Sequence, residues 1–129
     1  MTAFYDQLTP FYHLIHQDWS ASVHRQGELL SSLIEAEWPG CKSVLDVSCG
    51  IGTQAIGLAM KGYSVTASDI SEKEIARAFQ EARKRGASIE FSACDMRDAF
   101  AHHKAKFDVV ISCLDGVFYQ PVLVGTRVA

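Results

Sequence analysis

No apolar run in the sequence approaches the about 20 residues that a helix needs to cross a bilayer. The first residues also lack the basic and then apolar pattern of a secretory signal. Both absences predict a cytoplasmic protein that does not bind a membrane. The four cysteines form no C-x-x-C pair and have no short spacing to a histidine pair, so we expect free thiols and no metal site.

The sequence also has little excess charge of either sign. Its net charge is −3 and its twelve basic residues are dispersed, which offers no electrostatic case for nucleic acid as a partner. Apolar residues make up 48% and charged residues 21% of the chain, as in ordinary soluble globular proteins. At 129 residues we expect one domain, which is short for an enzyme with a separate substrate region.

The stretch S-V-L-D-V-S-C-G-I-G-T-Q, residues 43–54, organises the rest of the chain. It begins with the apolar residues of a strand that is buried on both faces, and Gly50 and Gly52 then allow a sharp turn. Helix-forming residues follow from Gln54. We expect a strand, a turn and a helix N-terminus, with free N–H groups of the turn facing a ligand.

An acidic residue, Asp69, ends a second predicted strand that covers residues 63–67 and the two positions after it. It lies nineteen positions after Gly50, where nucleotide-binding βαβ units place a carboxylate that binds ribose. Gly50, Gly52 and Ala55 also fit a G-x-G-x-x-A dinucleotide pattern. These features leave a nicotinamide-dependent oxidoreductase as one alternative.

Local signals predict the other elements of the chain. An aromatic segment that ends at Trp19 precedes a helix predicted over residues 20–37, whose apolar stripe is Val23, Leu30, Leu33 and Ile34. Ser71 and Glu74 fit the capping box of a helix that runs to Arg85, with Ile75, Ala78, Phe79 and Ala82 on its buried face. A strand is predicted over residues 89–93, and the adjacent His102 and His103 should point to opposite sides, which disfavours a shared metal.

A fuller pattern favours another family. Asp46 lies four residues before Gly50, and D-V-S-C-G-I-G-T resembles motif I of the class I S-adenosyl-L-methionine (SAM)-dependent methyltransferases. The resemblance continues through Asp69, F-S-A-C-D-M at residues 91–96 and F-D-V-V-I-S-C at residues 107–113. Four motifs in the family's order cover roughly residues 41–115, which is more specific than a glycine loop alone.

The resemblance implies an α/β fold with a Rossmann-like parallel sheet, flanking helices and an N-terminal helical arm. Four strands of the family's usual seven are predicted. We divide the chain into a helical arm or lid at residues 1–40, a SAM-binding core at 41–116 and an atypical tail at 117–129, consistent with a truncated chain. The outer edge of the fourth strand would be open to self-association, unless residues 122–124 cover it as a short strand.

The family also implies roles for particular residues. The glycine turn would cradle the methionine part of SAM, with Asp46 ordering its ammonium group. Asp69 would bind the ribose, and Asp95 would accept a hydrogen bond from the adenine amine. The predicted cofactor-binding residues are Asp46, Ser48, Cys49, Gly50, Gly52, Asp69, Ile70, Asp95, Met96, Cys113, Tyr12 and Arg25.

Several of these assignments have structural alternatives. Asp95 would also serve as the N-cap of a segment over residues 96–103, although we favour the cofactor role because three acids end parallel strands at one edge. Tyr12 belongs either to a lid over the cofactor or to an aromatic arm that packs on the domain. Arg25 either holds the methionine carboxylate or is a solvated helix arginine, which we rank first.

The resemblance therefore predicts a methyltransferase that uses SAM and a small-molecule methyl acceptor. No residue can be named as a general base. The oxidoreductase alternative is disfavoured because about forty residues precede the glycine strand and because it does not account for Asp46 or Asp95. A second alternative is a non-catalytic fragment that retains affinity for SAM.

Overall fold

The computed structural model describes residues 19–113 and 121–125 of the chain. Helices pack on a central sheet whose strands alternate with helices along the sequence. None of the helices in this part of the chain is long and apolar enough to cross a membrane. The elements are α1 (Trp19–Glu37), β1 (Ser43–Asp46), α2 (Thr53–Met60), β2 (Ser64–Asp69), α3 (Glu72–Lys84), β3 (Ile89–Ala93), a 3₁₀ turn (Met96–Asp98), α4 (Ala99–His103), β4 (Val109–Cys113) and β5 (Pro121–Gly125).

The sheet has the strand order β3-β2-β1-β4-β5. Its first four strands are parallel, which confirms the predicted Rossmann-like α/β architecture and the four predicted strands. The tail adds β5, which pairs antiparallel with β4 and places Val124 opposite Val110. The covering strand expected at residues 122–124 is therefore confirmed. Since β5 occupies the outer edge of β4, the described residues give no support to self-association through that edge.

The core lies between the sheet and α1, α2 and α3. One stripe of α1 is fully buried at Val23, Leu30 and Ile34, as its helical spacing predicted. The helix begins one residue before its predicted start and ends before Pro39, which removes a backbone donor. The buried residues of β1, β2 and β4 pack against this stripe. Helix α1 therefore packs on one face of the sheet.

Two glycines set the contact between α1 and α2. A Cβ atom built on Gly57 would lie 2.5 Å from the Val23 carbonyl oxygen, and one built on Gly27 would lie 2.6 Å from the Gly57 carbonyl oxygen. Both distances are far below van der Waals contact, and the atoms that would be struck belong to backbone. Only glycine at both positions lets the two helix backbones approach this closely, which fixes α1 next to the helix that follows the glycine turn.

Helix α3 confirms one prediction and corrects another. The Ser71 hydroxyl accepts a hydrogen bond from the Glu74 N–H at 3.2 Å, so the predicted N-cap is present. Phe79 was expected on the buried face, but its exposed fraction is 48%. The small side chains of Ala78 and Ala82 bring the helix close to the sheet, and Phe79 is rotated about 100° away from Ala78.

A polar staple joins β1 and β4 at the amino-terminal edge of the sheet. The Asp108 carboxylate accepts hydrogen bonds from the backbone N–H groups of Lys42 at 2.7 Å and Ser43 at 3.1 Å. The Ser43 hydroxyl accepts in return from the Asp108 N–H at 2.8 Å. This polar staple lies at the edge of the sheet opposite the carboxyl ends of the strands. It is therefore separate from the acids Asp46 and Asp69, which end β1 and β2.

Candidate functional site

Three carboxylates follow neighbouring strands at the carboxyl edge of the sheet. Asp46 ends β1, Asp69 ends β2, and Asp95 lies two residues after β3. The three strands are parallel and adjacent, so their carboxyl ends meet at the same edge. Ligands of open α/β sheets bind at this edge, where the strand order reverses. The structure therefore brings together the acids that the sequence predicted.

The turn between β1 and α2 requires its glycines. Gly50 has a φ of 57° and Gly52 a φ of 94°, which is the left-handed region that side chains disfavour. A Cβ atom on Gly52 would also lie 3.1 Å from Cδ1 of Ile56 and 3.3 Å from the Cβ atom of Ala78. The turn thus needs glycine for both its backbone conformation and its packing, which agrees with the predicted sharp bend.

Four N–H groups of this turn are bonded within the chain, which corrects the expectation of free donors at these four positions. The Ser48 N–H donates to Asp46 Oδ1 at 3.1 Å, and the Gly50 N–H donates to Asp69 Oδ2 at 3.0 Å. The N–H groups of Cys49 and Gly52 donate to backbone carbonyls at 3.0 Å and 2.9 Å. The reason is that the chain supplies its own anions: two carboxylates occupy donors that a ligand phosphate would otherwise use.

These built-in carboxylates determine which ligand charge the turn favours. Asp46 is fully buried and Asp69 has an exposed fraction of 9%, so water screens their charges weakly. A pyrophosphate beside them would meet like charge and would find these donors already occupied. An ammonium or sulfonium group would meet opposite charge. The arrangement therefore disfavours a dinucleotide and fits a cationic ligand.

Asp69 connects three parts of the site. Its Oδ2 atom accepts from the Gly50 N–H, and its Oδ1 atom accepts from the Ser71 N–H at 3.0 Å. The carboxylate therefore ties the end of β2 to the glycine turn and to the N-cap of α3. A carboxylate has about four acceptor positions, and these two bonds leave others for ligand hydroxyl groups. The structural role and the predicted ribose role are compatible.

Asp95 has the capping role that was one of its two predicted alternatives. Its Oδ1 atom accepts from the Arg97 N–H at 2.9 Å, and its carboxylate forms an ion pair with the Arg97 guanidinium at 2.6 Å. The hydrogen bonds from Arg97 lower the pKa of Asp95 to about 2. Sequence reasoning missed Arg97. The only signal was its position two residues after the acid.

Two large apolar side chains are left exposed at the same edge. Ile70 follows β2 with an exposed fraction of 52%, and Met96 follows Asp95 with an exposed fraction of 47%. They come after neighbouring strands, so apolar surface lies beside the carboxylates. Ligand sites commonly combine such surface with a few polar groups that orient the ligand. A flat aromatic base fits this combination.

A pair of hydroxyl groups lies where the strand order reverses between β1 and β4. Ser48 Oγ and Ser112 Oγ are 3.2 Å apart, and both residues are half-buried. Ser48 was predicted as a site residue, whereas Ser112 was missed because its strand position alone carried no signal. This crevice is the topological switch point of the sheet, where ligands of doubly wound folds extend.

The cysteines at this edge are mainly structural in the described residues. Cys49 is buried, and its thiol lies 3.6 Å from the Gly50 carbonyl oxygen. Cys94 is half-buried, and its thiol donates to the Asp95 carbonyl oxygen at 3.1 Å. Cys113 ends β4, so its backbone reaches the predicted edge. Small apolar side chains in a tight space account for Cys49.

The structure gives one predicted residue, Arg25, a partner on its own helix. Arg25 is exposed on α1, and its guanidinium donates to the Ser22 hydroxyl at 3.0 Å. This is the arrangement of a solvated helix arginine, the alternative that we ranked first. Tyr12 lies outside the described residues.

The start of α1 is anchored to the site by Trp19, which sequence reasoning placed only in an aromatic arm. Its indole N–H donates to the Thr53 hydroxyl at 2.9 Å, at the first residue of α2. The Arg85 guanidinium lies over the Trp19 ring, 4.4 Å from its centroid. The amino end of α1 therefore lies beside the helix that follows the glycine turn.

Two adjacent histidines contact the same face of the sheet. His103 Nε2 lies 3.1 Å from Ser68 Oγ, and His102 Nε2 lies 2.9 Å from Ser92 Oγ. The two serines are register partners on β2 and β3. We had expected adjacent histidines to diverge. They converge because α4 is a single short turn that ends at Lys104 with a φ of 51°.

Each histidine of the pair lies within hydrogen-bond distance of a serine hydroxyl, and no group of three or more metal-ligating side chains occurs within residues 19–113 and 121–125. Burial lowers the pKa of His103, and the neighbouring His102 lowers it further. The histidines instead hold α4 on the sheet just before the acids at the ends of β2 and β3.

This lowered pKa predicts a pH dependence of stability. Below about pH 6.5 the unfolded chain takes up a proton on this histidine before the folded chain does. We therefore expect the free energy of unfolding to keep its full value above that pH. It should decrease as the pH falls from there toward the lower pKa that His103 has in the folded protein. Urea unfolding at pH 7.5 and pH 5.5 would measure it. His103→Gln should reduce the difference in the free energy of unfolding between the two pH values, whereas His24→Gln at an exposed position of α1 should not. The same difference in the wild type and in both variants would contradict the prediction.

The chain is similar to a known family and to several known proteins. Residues 44–123, which are more than half of the chain, match the methyltransferase domain family. A glycine/sarcosine N-methyltransferase from Parasynechococcus marenigrum is 36% identical over 101 residues, covering 78% of this chain and 35% of that protein. A ubiquinone biosynthesis O-methyltransferase from Thiobacillus denitrificans is 29% identical over 121 residues, covering 89% of this chain and 52% of that protein.

A solved structure extends the comparison to the fold. Magnesium protoporphyrin IX methyltransferase from Synechocystis PCC 6803 with bound SAH superposes with a TM-score of 0.55 and is 29% identical, covering 76% of this chain and 45% of that one. The chain spans about a third to a half of the length of the relatives that it matches. The family match and the four-motif resemblance coincide on the strands and the turn that form the site. The chain therefore belongs to the methyltransferase domain family.

Proposed function

We propose that this chain binds SAM and supports methyl transfer to a small-molecule acceptor. The observation that carries the proposal is the position of Asp46, Asp69 and Asp95 after three adjacent parallel strands, with Asp46 and Asp69 bonded to the glycine turn, at the edge where the family match lies. Glycine or sarcosine, a ubiquinone precursor and a porphyrin are named for the relatives above. Small acceptors of that kind are the class that we extend to this chain.

The residues present fit an adenosine that carries a charged sulfur. Asp69 retains acceptor positions for the ribose hydroxyls, and Asp95 would accept a hydrogen bond from the adenine amine. Ile70 and Met96 supply exposed apolar surface for the ring. The buried carboxylates of Asp46 and Asp69 attract the ammonium and sulfonium groups, whereas they would repel a pyrophosphate.

When bound, SAM supplies an activated methyl group on its sulfonium. The residues of this chain then contribute position and charge. The glycine turn and its carboxylates hold the methionine end near the crevice between β1 and β4, where Ser48 and Ser112 lie. Holding the two reactants in line removes much of the entropic barrier to a displacement. We name no general base, and we propose that the acceptor approaches along this crevice.

One test separates the proposed cofactor from the dinucleotide alternative. We expect calorimetry to show binding of SAM and of its demethylated product SAH, and no binding of NAD at the same concentrations. Thermal unfolding should agree, because a ligand at a hundredfold its dissociation constant adds about 2.7 kcal/mol to the free energy of unfolding. Binding of NAD in place of SAH would overturn the proposal.

A turnover assay addresses the remaining alternative, a non-catalytic fragment that retains affinity for SAM. Methyl transfer from SAM should be measured on a panel of amine, phenol and carboxylate acceptors. Transfer to any of them supports the enzyme, and SAH binding without transfer to any favours the fragment. We further propose a reducing compartment such as the cytoplasm, because the described cysteines Cys41, Cys49 and Cys94 are free thiols.

A further inference from the structure

We propose that Arg97 is a positioning residue of the cofactor site. It holds the Asp95 carboxylate in the orientation that accepts an exocyclic amine, and it thereby selects a 6-aminopurine cofactor over a 6-oxopurine one. The inference rests on the proposed function, because it requires a purine at this edge of the sheet. It adds a residue that lay outside the predicted site.

Arg97 holds the carboxylate of Asp95 through its backbone and its side chain together. Its N–H donates to Oδ1 at 2.9 Å, its Nη2 donates to Oδ2 at 2.6 Å, and its Nε lies 3.1 Å from both oxygens. Such a planar fork fixes the plane of a carboxylate as well as its distance. A lysine in this place would supply a point charge without the fork.

These contacts leave a defined acceptor position. A carboxylate has about four acceptor positions, and three donor groups of Arg97 share them. Roughly one position therefore remains for a ligand, and its direction is set because the carboxylate cannot rotate without breaking the fork. A pre-oriented acceptor binds a donor with less loss of side-chain entropy than a free one.

Asp95 is an ionised carboxylate near neutral pH. The hydrogen bonds from Arg97 lower its pKa to about 2, so that it also stays ionised in mild acid. An ionised carboxylate accepts hydrogen bonds and cannot donate them. It therefore pairs with the amine of adenine and opposes the carbonyl oxygen of hypoxanthine at the same ring position.

Arg97 is suited to mutagenesis because its side chain is 84% exposed. Exposed ion pairs contribute little to the free energy of folding, so Arg97→Met should leave the fold intact. The probes are SAH and S-inosyl-L-homocysteine, which differ in the 6-substituent that Asp95 would contact and in the adjacent N1, which carries a hydrogen only in the inosyl analogue. We expect Arg97→Met to weaken SAH binding about tenfold and to leave the inosyl analogue unchanged, so that the selectivity ratio falls about tenfold.

Two further variants test the mechanism. Arg97→Lys should restore part of the ratio, since it keeps the charge but loses the fork. Arg83→Met is the matched control, because Arg83 is an exposed arginine near the carboxyl end of α3. Its guanidinium lies 6.0 Å from the Phe79 ring centroid. Arg83→Met should change neither affinity. When Asp95→Asn is already present, adding Arg97→Met should weaken SAH binding little further, because Arg97 acts through Asp95.

Several results would overturn the inference. An unchanged selectivity ratio in Arg97→Met, or tighter binding of SAH, would show that Arg97 does not position the acceptor. A full additional loss in the double variant would show that Arg97 acts independently of Asp95. If the wild-type chain bound neither SAM nor SAH, the proposed function itself would fail. If it bound SAH with an unaltered ratio in Arg97→Met, only the role of Arg97 would fail.

Discussion

Gly57→Ala should destabilise the fold by about 2 kcal/mol or more, although alanine is the better helix former. Propensity alone would make the substitution stabilising by up to about 1 kcal/mol. Packing opposes it, because the new Cβ atom would lie 2.5 Å from the Val23 carbonyl oxygen. Overpacking of this kind commonly costs about 1–3 kcal/mol, and here neither helix backbone can move aside without displacing the other.

Chemical and thermal unfolding measure this effect directly. For a domain of this size a loss of 2 kcal/mol lowers the melting temperature by about 10 °C. Ala76→Gly on the exposed side of α3 is the matched control, since it changes the same two residue types in the opposite direction without a contact between helices. Its cost should be close to the propensity difference of about 1 kcal/mol.

The double variant Gly27→Ala with Gly57→Ala tests whether one contact is responsible. Each substitution separates the same two helices, so once α1 has moved, the second should cost less than it does alone. Costs that add fully, or a Gly57→Ala protein more stable than wild type, would show that the two glycines do not set the distance between α1 and α2.

Local sequence signals predicted the elements of the fold well. The apolar run before Gly50 identified β1, and β3 has the predicted bounds of residues 89–93. The Ser71 cap marked the start of α3 because it depends on residues only three apart. Even the tail strand was foreseen, because residues 122–124 are apolar and an open parallel edge requires a partner.

Contacts between distant elements could not be predicted in the same way. Gly27 and Gly57 meet because α1 crosses α2 at those points, and thirty residues of chain carry no periodic signal of that crossing. The convergence of His102 and His103 depends on the end of α4 and on the register of β2 with β3. Such features follow from three-dimensional packing, which a single sequence does not reveal.

The acids at the strand ends were predicted, but their hydrogen bonds to the turn were not. The acids after β1, β2 and β3 were identified from the resemblance, and the structure places them at one edge. The turn was expected to offer free N–H groups, yet Asp46 and Asp69 accept from two of them. An acid and a turn that lie nineteen residues apart join only when two parallel strands align, which explains the error.

Asp69→Asn should reduce the affinity for SAH by about ten- to a hundredfold and also lower stability by about 1–3 kcal/mol. The amide has the shape of the carboxylate but only one acceptor oxygen. It can accept from Gly50 or from Ser71, and its NH₂ group then faces the other N–H. The glycine turn or the N-cap of α3 therefore loses its anchor, and the ribose hydroxyls lose a charged acceptor.

Asp108→Ala separates the two consequences, because Asp108 Oδ2 also accepts from two backbone N–H groups but does so at the opposite edge of the sheet, and alanine removes that acceptor. It should cost a similar amount of stability and leave SAH affinity unchanged. Calorimetry well below both melting temperatures, together with urea unfolding, gives the comparison. If both variants lost affinity equally, binding would report only on folding. If Asp69→Asn bound SAH like the wild type, the carboxylate would be a structural strap with no part in recognition. A loss of SAH affinity in the Asp69 variant alone would mean that one buried carboxylate both stabilises the glycine turn and binds the ligand.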